Sequence, residues 1–195
     1  MFTYNLYFLT GPEVTIGKLG NAIFLPNIER FDDNVIKLGD HNNDCLGNIS
    51  LCPGGVTLSL WFKIEYYITN WSHLFRSTSF YCPMHCNATS CALYVYVRNE
   101  SHMQQFPSFT DLSYGKWHHM GIACDESSSC VVYIDGCVPS GTYKVTRQEN
   151  LVDRKDFELG CDNGNKCTRV HYDELRFWTV KKSQLFMWWL WNLYV

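Results

Sequence analysis

Apolar and polar residues alternate along much of this chain with the period of two that a half-buried β-strand imposes. In the segment VTLSLWFK, residues 56–63, Val56, Leu58 and Leu60 fall on one face and Thr57 and Ser59 on the other, until Trp61 interrupts the pattern. Comparable short runs rich in Val, Ile, Tyr, Phe and Trp occupy 22–25, 35–38, 57–64, 73–81, 92–98, 117–124, 130–134, 156–160 and 172–178. Gly, Asn, Asp, Ser and Pro separate them, so each is predicted to be a strand bounded by turns. Helical periodicity is absent until 181–193. The Trp-rich tail 183–195 suits a strand or helix that closes the core, with a truncated membrane-proximal segment or a misjoined exon as the alternatives. Many short strands with frequent turn signals predict an all-β sandwich or barrel.

The stretch KWHHMGIACDESSSCVVYIDGC, residues 116–137, reads as a hairpin at the centre of that architecture. His118, Met120, Ile122 and Cys124 share one face of its first strand, and Trp117, His119 and Gly121 the other. Cys130, Val132 and Ile134 share a face of the return strand, opposite Val131 and Tyr133. If the Met120 face is buried, Cys124 and Cys130 flank the polar loop 125–129 within reach of a cross-strand bridge. Asp135-Gly136 then supplies a positive-φ turn. His118 and His119 point to opposite faces and cannot share one ligand, while Asp125 and Glu126 are turn acids. The expected core includes Leu60, Phe62, Met120, Ile122, Val132, Ile134, Leu175 and Phe177, with the strands from Thr57 and Trp117 in the middle of the sandwich.

Composition narrows the setting. A chain of 195 residues with 46% hydrophobic and 16% aromatic content suits one well-cored domain. A net charge of −3 without a basic block argues against a nucleic-acid partner. No apolar run reaches the roughly 18 to 20 residues of a membrane span. The opening MFTYNLYFLTG lacks a basic n-region and a cleavage pattern, so no signal peptide is read there. The ten cysteines, mostly closely spaced, instead suggest loop-stapling disulfides in an oxidising compartment. The expected bridges are Cys45–Cys52, Cys124–Cys130 and Cys161–Cys167. Cys82, Cys86, Cys91 and Cys137 allow three pairings, of which Cys82–Cys91 with Cys86–Cys137 is the one chosen. Sequons at Asn48, Asn70, Asn87 and Asn99 are candidate glycosylation sites and point the same way. The expectation is an extracellular or cell-surface domain, a fragment of a longer protein.

The hairpin resembles the W-H-H-hydrophobic … D-E … V-Y-V-D-G hairpin of laminin G-like domains in the concanavalin A-like lectin/glucanase superfamily. The family often has Trp where Cys124 stands, so the bridge departs from its pattern. Gly17-Lys18-Leu19-Gly20-Asn21-Ala22 resembles the G-K-x-G-N-A opening, followed by Ile36-Lys37-Leu38-Gly39-Asp40, Gly54-Gly55-Val56-Thr57-Leu58-Ser59-Leu60-Trp61-Phe62 and Tyr172-Asp173-Glu174-Leu175-Arg176-Phe177-Trp178. The resemblance implies a two-sheet antiparallel jelly-roll sandwich over 17–182, after a lead-in of 1–16 and before a tail of 183–195. In that family the Asp173-Glu174 pair is structural, the acid tying strand to loop.

The resemblance also implies a non-catalytic recognition or adhesion module for a glycan or an extracellular protein. Two alternatives remain open, a calcium-assisted lectin and a sandwich-fold glycoside hydrolase. Hydrolysis needs two carboxyl groups about 5 to 9 Å apart on one face. Asp153, Asp156 and Glu158 come nearest but are interrupted by Arg154 and Lys155 and read as a loop, and Asp173-Glu174 are adjacent and face opposite ways. Calcium needs six to eight oxygens, and the oxygen-rich loops 32–34, 40–44 and 162–165 offer Asp40, Asp44 and Asp162 as candidate ligands. Zinc at Cys82, His85, Cys86 and Cys91 lacks the paired C-x2-C spacing, so an oxidised hairpin loop is favoured there.

Overall fold

The computed structural model describes residues 13–25, 35–41, 43–66, 71–98, 102–127, 129–138, 144–147, 156–160 and 169–193. The first strands are β1 (Glu13–Ile16), β2 (Asn21–Leu25), β3 (Val35–Asp40), β4 (Val56–Tyr66) and β5 (Trp71–Arg76). Next come β6 (Phe80–Cys86), β7 (Ser90–Leu93), β8 (Tyr96–Arg98), β9 (His102–Gln105) and β10 (Phe109–Ser113). The last are β11 (Trp117–Cys124), β12 (Cys130–Ile134), β13 (Lys144–Arg147), β14 (Asp156–Gly160) and β15 (Arg169–Trp178), followed by helix α1 (Gln184–Asn192).

All pairings are antiparallel, and they build two sheets that face each other. One runs β1-β2-β15-β4-β11-β12. The other runs β13-β9-β8-β6-β5-β14-β3, with β7 on β6 and β10 on β7. This is the all-β sandwich that the strand pattern allows, in the two-sheet jelly-roll form that the family resemblance implies. β4 is central in the six-stranded sheet, and β11 lies one place nearer its edge. Strands β11, β12 and β14 have the bounds that alternation predicts. The run 73–81 is instead a hairpin, because Ser77-Thr78-Ser79 turns the chain and Ser77 N donates to Phe80 O at 2.6 Å. The run 92–98 likewise divides into β7 and β8, which pair with successive parts of β6. β1 lies inside the expected lead-in and pairs with β2, so the sheet begins before Gly17.

Between the sheets lies one core in which Leu60, Phe62, Ile64, Phe75, Phe80, Met84, Met120, Ile122 and Phe157 have no exposed surface. Fully burying one such side chain is worth about 1.5–3 kcal/mol. Tyr172 ties the two layers together: its hydroxyl donates to Leu74 O at 2.8 Å, and burial pushes the phenol's pKa up. Leu175 and Phe177, expected in the core, are only half-buried at its margin. A bulge between Asp173 and Arg176, with Glu174 at φ 50°, breaks the register of β15 on β4 and lifts this end of the strand.

The β11–β12 hairpin closes as the alternation requires. Met120 pairs with Ile134, Ile122 with Val132 and Cys124 with Cys130, and the last pair is joined by a disulfide. Asp135 at φ 51° and Gly136 at φ 74° make the turn beyond it. Cys45 and Cys52 are also joined, their Cα atoms 5.4 Å apart. The pairing chosen for the remaining four cysteines is wrong. Cys86 and Cys91 are register partners across β6–β7 and form the disulfide, while Cys82, on the core side of β6, and the exposed Cys137 carry none. Cys161–Cys167 lies outside the described residues.

The tail is a helix. Ser183 caps it by accepting from Phe186 N at 3.3 Å, and Met187 and Leu190 bury themselves on Ala123 and Tyr133, on the outer face of the six-stranded sheet. Its approach depends on Gly121, because a Cβ there would strike Met187 Cε. Among the described residues no helix is long and apolar enough to cross a membrane.

Candidate functional site

The outer face of the nine-stranded sheet carries the candidate site. Strand alternation sends Phe80, Cys82 and Met84 of β6 into the core and turns Tyr81, Pro83 and His85 outward. In the same way Val95 and Val97 are core residues, so Tyr94, Tyr96 and Arg98 face out. Register then assembles one row from strands far apart in sequence. Lys37 pairs with Glu158, Glu158 with Arg76, Arg76 with Tyr81, Tyr81 with Tyr96 and Tyr96 with Gln105.

The row passes from charge to aromatic to amide. At its charged end Arg76 Nε donates to Glu158 Oε2 at 2.5 Å, and Lys37 Nζ lies 3.8 Å from Oε1. Arg76 and Glu158 are both buried, so the pair is a fixed part of the sheet. Beside it the rings of Tyr81 and Tyr96 have centroids 5.6 Å apart, and His73 lies 4.8 Å from Tyr81 with its Nε2 2.7 Å from the phenol oxygen. Burial and the neighbouring Tyr94 raise the Tyr96 phenol above its ordinary pKa, which keeps it a hydroxyl donor. Further along β5, Trp71 is 48% exposed and stands 5.1 Å from His85 and 5.3 Å from Tyr94. Half-exposed aromatic rings of this number, each held by a neighbour, form a rigid apolar platform with hydroxyl and amide groups at its edges.

The predicted site residues are dispersed. Asp44 is engaged within its own loop: Oδ1 accepts from Leu46 N at 2.8 Å and from Gly47 N at 3.4 Å, and Oδ2 lies 2.6 Å from His41 Nδ1. Asp40 sits at the end of β3 opposite Asp156, and Asp162 lies outside the described residues. Among the described residues no group of three or more His, Cys, Asp and Glu side chains is placed to hold a metal ion. The zinc alternative separates physically, with Cys82 in the core, Cys86 and Cys91 in a disulfide and His85 on the outer face. Burial pushes the Cys82 thiol up in pKa. Of the sequons, Asn48 and Asn87 are described; Asn70 and Asn99 are not.

Two carboxylate readings need correcting. Asp156 and Glu158 belong to a strand, not a loop, and share the outer face with the aromatic row. Asp173 and Glu174 do not face opposite ways: the bulge brings Glu174 and Arg176 to a shallow pit on the six-stranded sheet lined also by Ser59, Trp61, His119 and Leu190. Asp173 does tie strand to loop, its Oδ2 accepting from Leu19 N at 2.8 Å. His118 and His119 diverge as alternation demands. His118 Nδ1 is 2.8 Å from Asp135, and His119 Nε2 is 2.8 Å from Ser59 Oγ.

The aromatic row itself escaped the sequence. Its one trace there is Tyr81 and His85 within 81–85 and Tyr94 and Tyr96 within 94–98, at even spacing. The register that unites them is set by strands distant in the chain.

Two antiparallel sheets packed face to face define a jelly-roll sandwich of the concanavalin A-like class. Residues 36–185 match a laminin G family model of the concanavalin A-like lectin/glucanases superfamily, and the chain belongs to that family. No curated protein matches it. Among solved structures it is similar to the binding domain of botulinum neurotoxin DC in complex with rat synaptotagmin II, at TM-score 0.65 and 13% identity, over 98% of this chain and 48% of that one. The same domain in complex with SialylT gives TM-score 0.63 and 13% identity, over 98% and 47% of the two chains. The binding domain of Paraclostridial Mosquitocidal Protein 1 gives 0.58 and 14%, over 97% and 47%. At such identities the likeness shows the fold, and the chain spans about half the length of these structures.

Proposed function

We propose that this domain is a non-catalytic extracellular recognition module and that the outer face of its nine-stranded sheet receives a glycan. The observation that carries the reading is the group Trp71, His85, Tyr94, Tyr81 and Tyr96, held on β5, β6, β8 and the link between β7 and β8 and partly open to solvent. The C–H face of a pyranose ring matches the face of an aromatic ring, and the flanking Tyr hydroxyls and Gln105 suit sugar hydroxyls. Rings fixed in advance lose little conformational freedom on binding. The similar solved structures are binding domains in complex with rat synaptotagmin II and with SialylT, which supports a binding role of this general kind. The three disulfides among the described residues fit an oxidising, extracellular setting.

A glycan array read with and without chelator tests the proposal. Binding is expected to survive chelation. Tyr96→Ala, at the Tyr81–Tyr96 end of the row, is expected to weaken it at least about tenfold, the effect of losing one well-placed aromatic anchor. Trp188→Ala, on the exposed side of α1, is expected to leave it unchanged. Equal losses in the two variants would overturn the placement, and binding lost on chelation would favour a calcium-assisted lectin.

The competing reading is a glycoside hydrolase, and what favours it is the Asp156–Glu158 pair on the same face. Against it, both Glu158 oxygens already face cations, Arg76 and Lys37.

A further inference from the structure

The β6–β7 hairpin bounds one end of the aromatic row and carries the sequon Asn87-Ala88-Thr89. Asn87 is exposed, and its Oδ1 accepts from Thr89 N at 2.8 Å, Thr89 Oγ1 at 2.9 Å and Ser90 N at 3.0 Å. The amide is therefore held by its oxygen, while its nitrogen, the atom a sugar would take, makes no hydrogen bond among the described residues. The Cys86–Cys91 disulfide closes the hairpin, and Tyr114 OH donates to Asn87 O at 2.5 Å, so the tip is fixed in place. Asn48 differs. It is half-buried between Cys45 and Cys52, and its Oδ1 caps the turn Ile49–Leu51 by accepting from Ser50 N at 3.1 Å.

The position of Asn87 points the same way. It follows His85, the last outward-facing residue of β6, by two residues, about 7 Å along extended chain. The His85 ring is in turn 5.1 Å from that of Trp71. A sugar attached at Asn87 thus starts within one ring's length of the platform.

We propose that Asn87 carries an N-linked glycan whose first sugar rings lie against His85 and Trp71, so that the domain's own glycan covers that end of the platform. External ligands are then confined to the Tyr81–Tyr96 end. The attachment uses a lipid-linked oligosaccharide diphosphate as donor. A bond forms between Asn87 Nδ2 and the anomeric carbon, and the bond from that carbon to the diphosphate oxygen breaks. The lipid diphosphate leaves with the electron pair, and the amide releases one proton. The inference rests on the extracellular, glycan-facing reading above.

The full chain, secreted from eukaryotic cells behind an added signal, tests it in two readouts. Glycosidase release in heavy-oxygen water, followed by peptide mapping, is expected to label Asn87 almost completely and Asn48 to a small extent. Acrylamide quenching of tryptophan fluorescence is expected to rise when the glycan is removed from the parent protein. It is expected not to change on the same treatment of Trp71→Phe or Asn87→Gln. An unlabelled Asn87 in secreted, disulfide-bonded protein overturns the proposal, as does a labelled Asn87 whose removal leaves quenching unaltered. Occupied Asn87 and shielded Trp71 in a protein that binds no glycan on the array would support this inference and sink the proposed function instead.

Discussion

His119 shows what this packing demands of a single polar side chain. It is 1% exposed, its Nε2 is satisfied by Ser59 Oγ at 2.8 Å, and its Nδ1 has no partner among the described residues. Desolvation disfavours the imidazolium and outweighs the attraction of Asp135, with Arg176 adding to the depression, so the pKa is pushed down from 6.5 to about 4. The unfolded chain takes up this proton near pH 6.5 and the folded one only near pH 4. Between those limits the unfolded state binds more protons, so this contribution to stability is fully present above the unfolded value and falls as the pH drops. The loss reaches roughly 3 kcal/mol by about pH 4, because each tenfold difference in proton affinity is worth about 1.4 kcal/mol. His171 is lowered in the same sense, first by its own burial. Denaturant unfolding of the parent and of His119→Gln at about pH 7 and about pH 4.5 is therefore expected to give a clearly shallower pH dependence in the variant. An unchanged slope would mean that His119 is not the group that titrates.

At the scale of elements, helix α1 is held by very little of its own surface. Met187 and Leu190 are buried, whereas Leu185 is 72% exposed and Trp188 and Trp189 are each 49% exposed. Met187→Ala or Leu190→Ala is expected to cost about 2–5 kcal/mol, as other large-to-small changes at buried sites do. Trp188→Ala is expected to stay within about 0.5 kcal/mol, the range of surface changes. Chemical denaturation decides it: comparable losses for all three would show that the helix docks by another face. This is also where the chain resisted reading. Its tail is apolar on every side, so no stripe distinguished strand from helix or one helix face from another. The β11–β12 hairpin was legible because strict alternation, a polar loop and Asp135-Gly136 agreed. The β5–β6 turn was not, because Ser77-Thr78-Ser79 lacks Gly, Pro, Asn and Asp and sits inside an aromatic run. The family motifs located the sandwich, but they lie largely on strands of the six-stranded sheet. The aromatic row belongs to the other sheet, whose register is written in no local segment.

At the scale of the whole molecule, the question is whether this family member is an enzyme at its outer face. Asp156 and Glu158 stand two residues apart on β14, on the same side as the aromatic row, and that geometry alone would invite a hydrolytic reading. Glu158, however, is the counterion of a buried arginine. With Arg76 Nε at 2.5 Å and Lys37 Nζ at 3.8 Å, neither oxygen is free to pass a proton to a leaving group or to approach a sugar carbon. Removing that charge should register as lost stability. Glu158→Gln leaves the Arg76 charge buried without its carboxylate and is expected to destabilise the domain by about 3–5 kcal/mol. Asp156→Asn, at a half-buried position at the strand's start, is expected to be nearly neutral. On a panel of β-glucans the parent protein is expected to release reducing sugar no faster than buffer, and both variants to match it. Release above background that disappears in Asp156→Asn, a variant that stays folded, would show that the pair is catalytic and that the face cleaves what it binds.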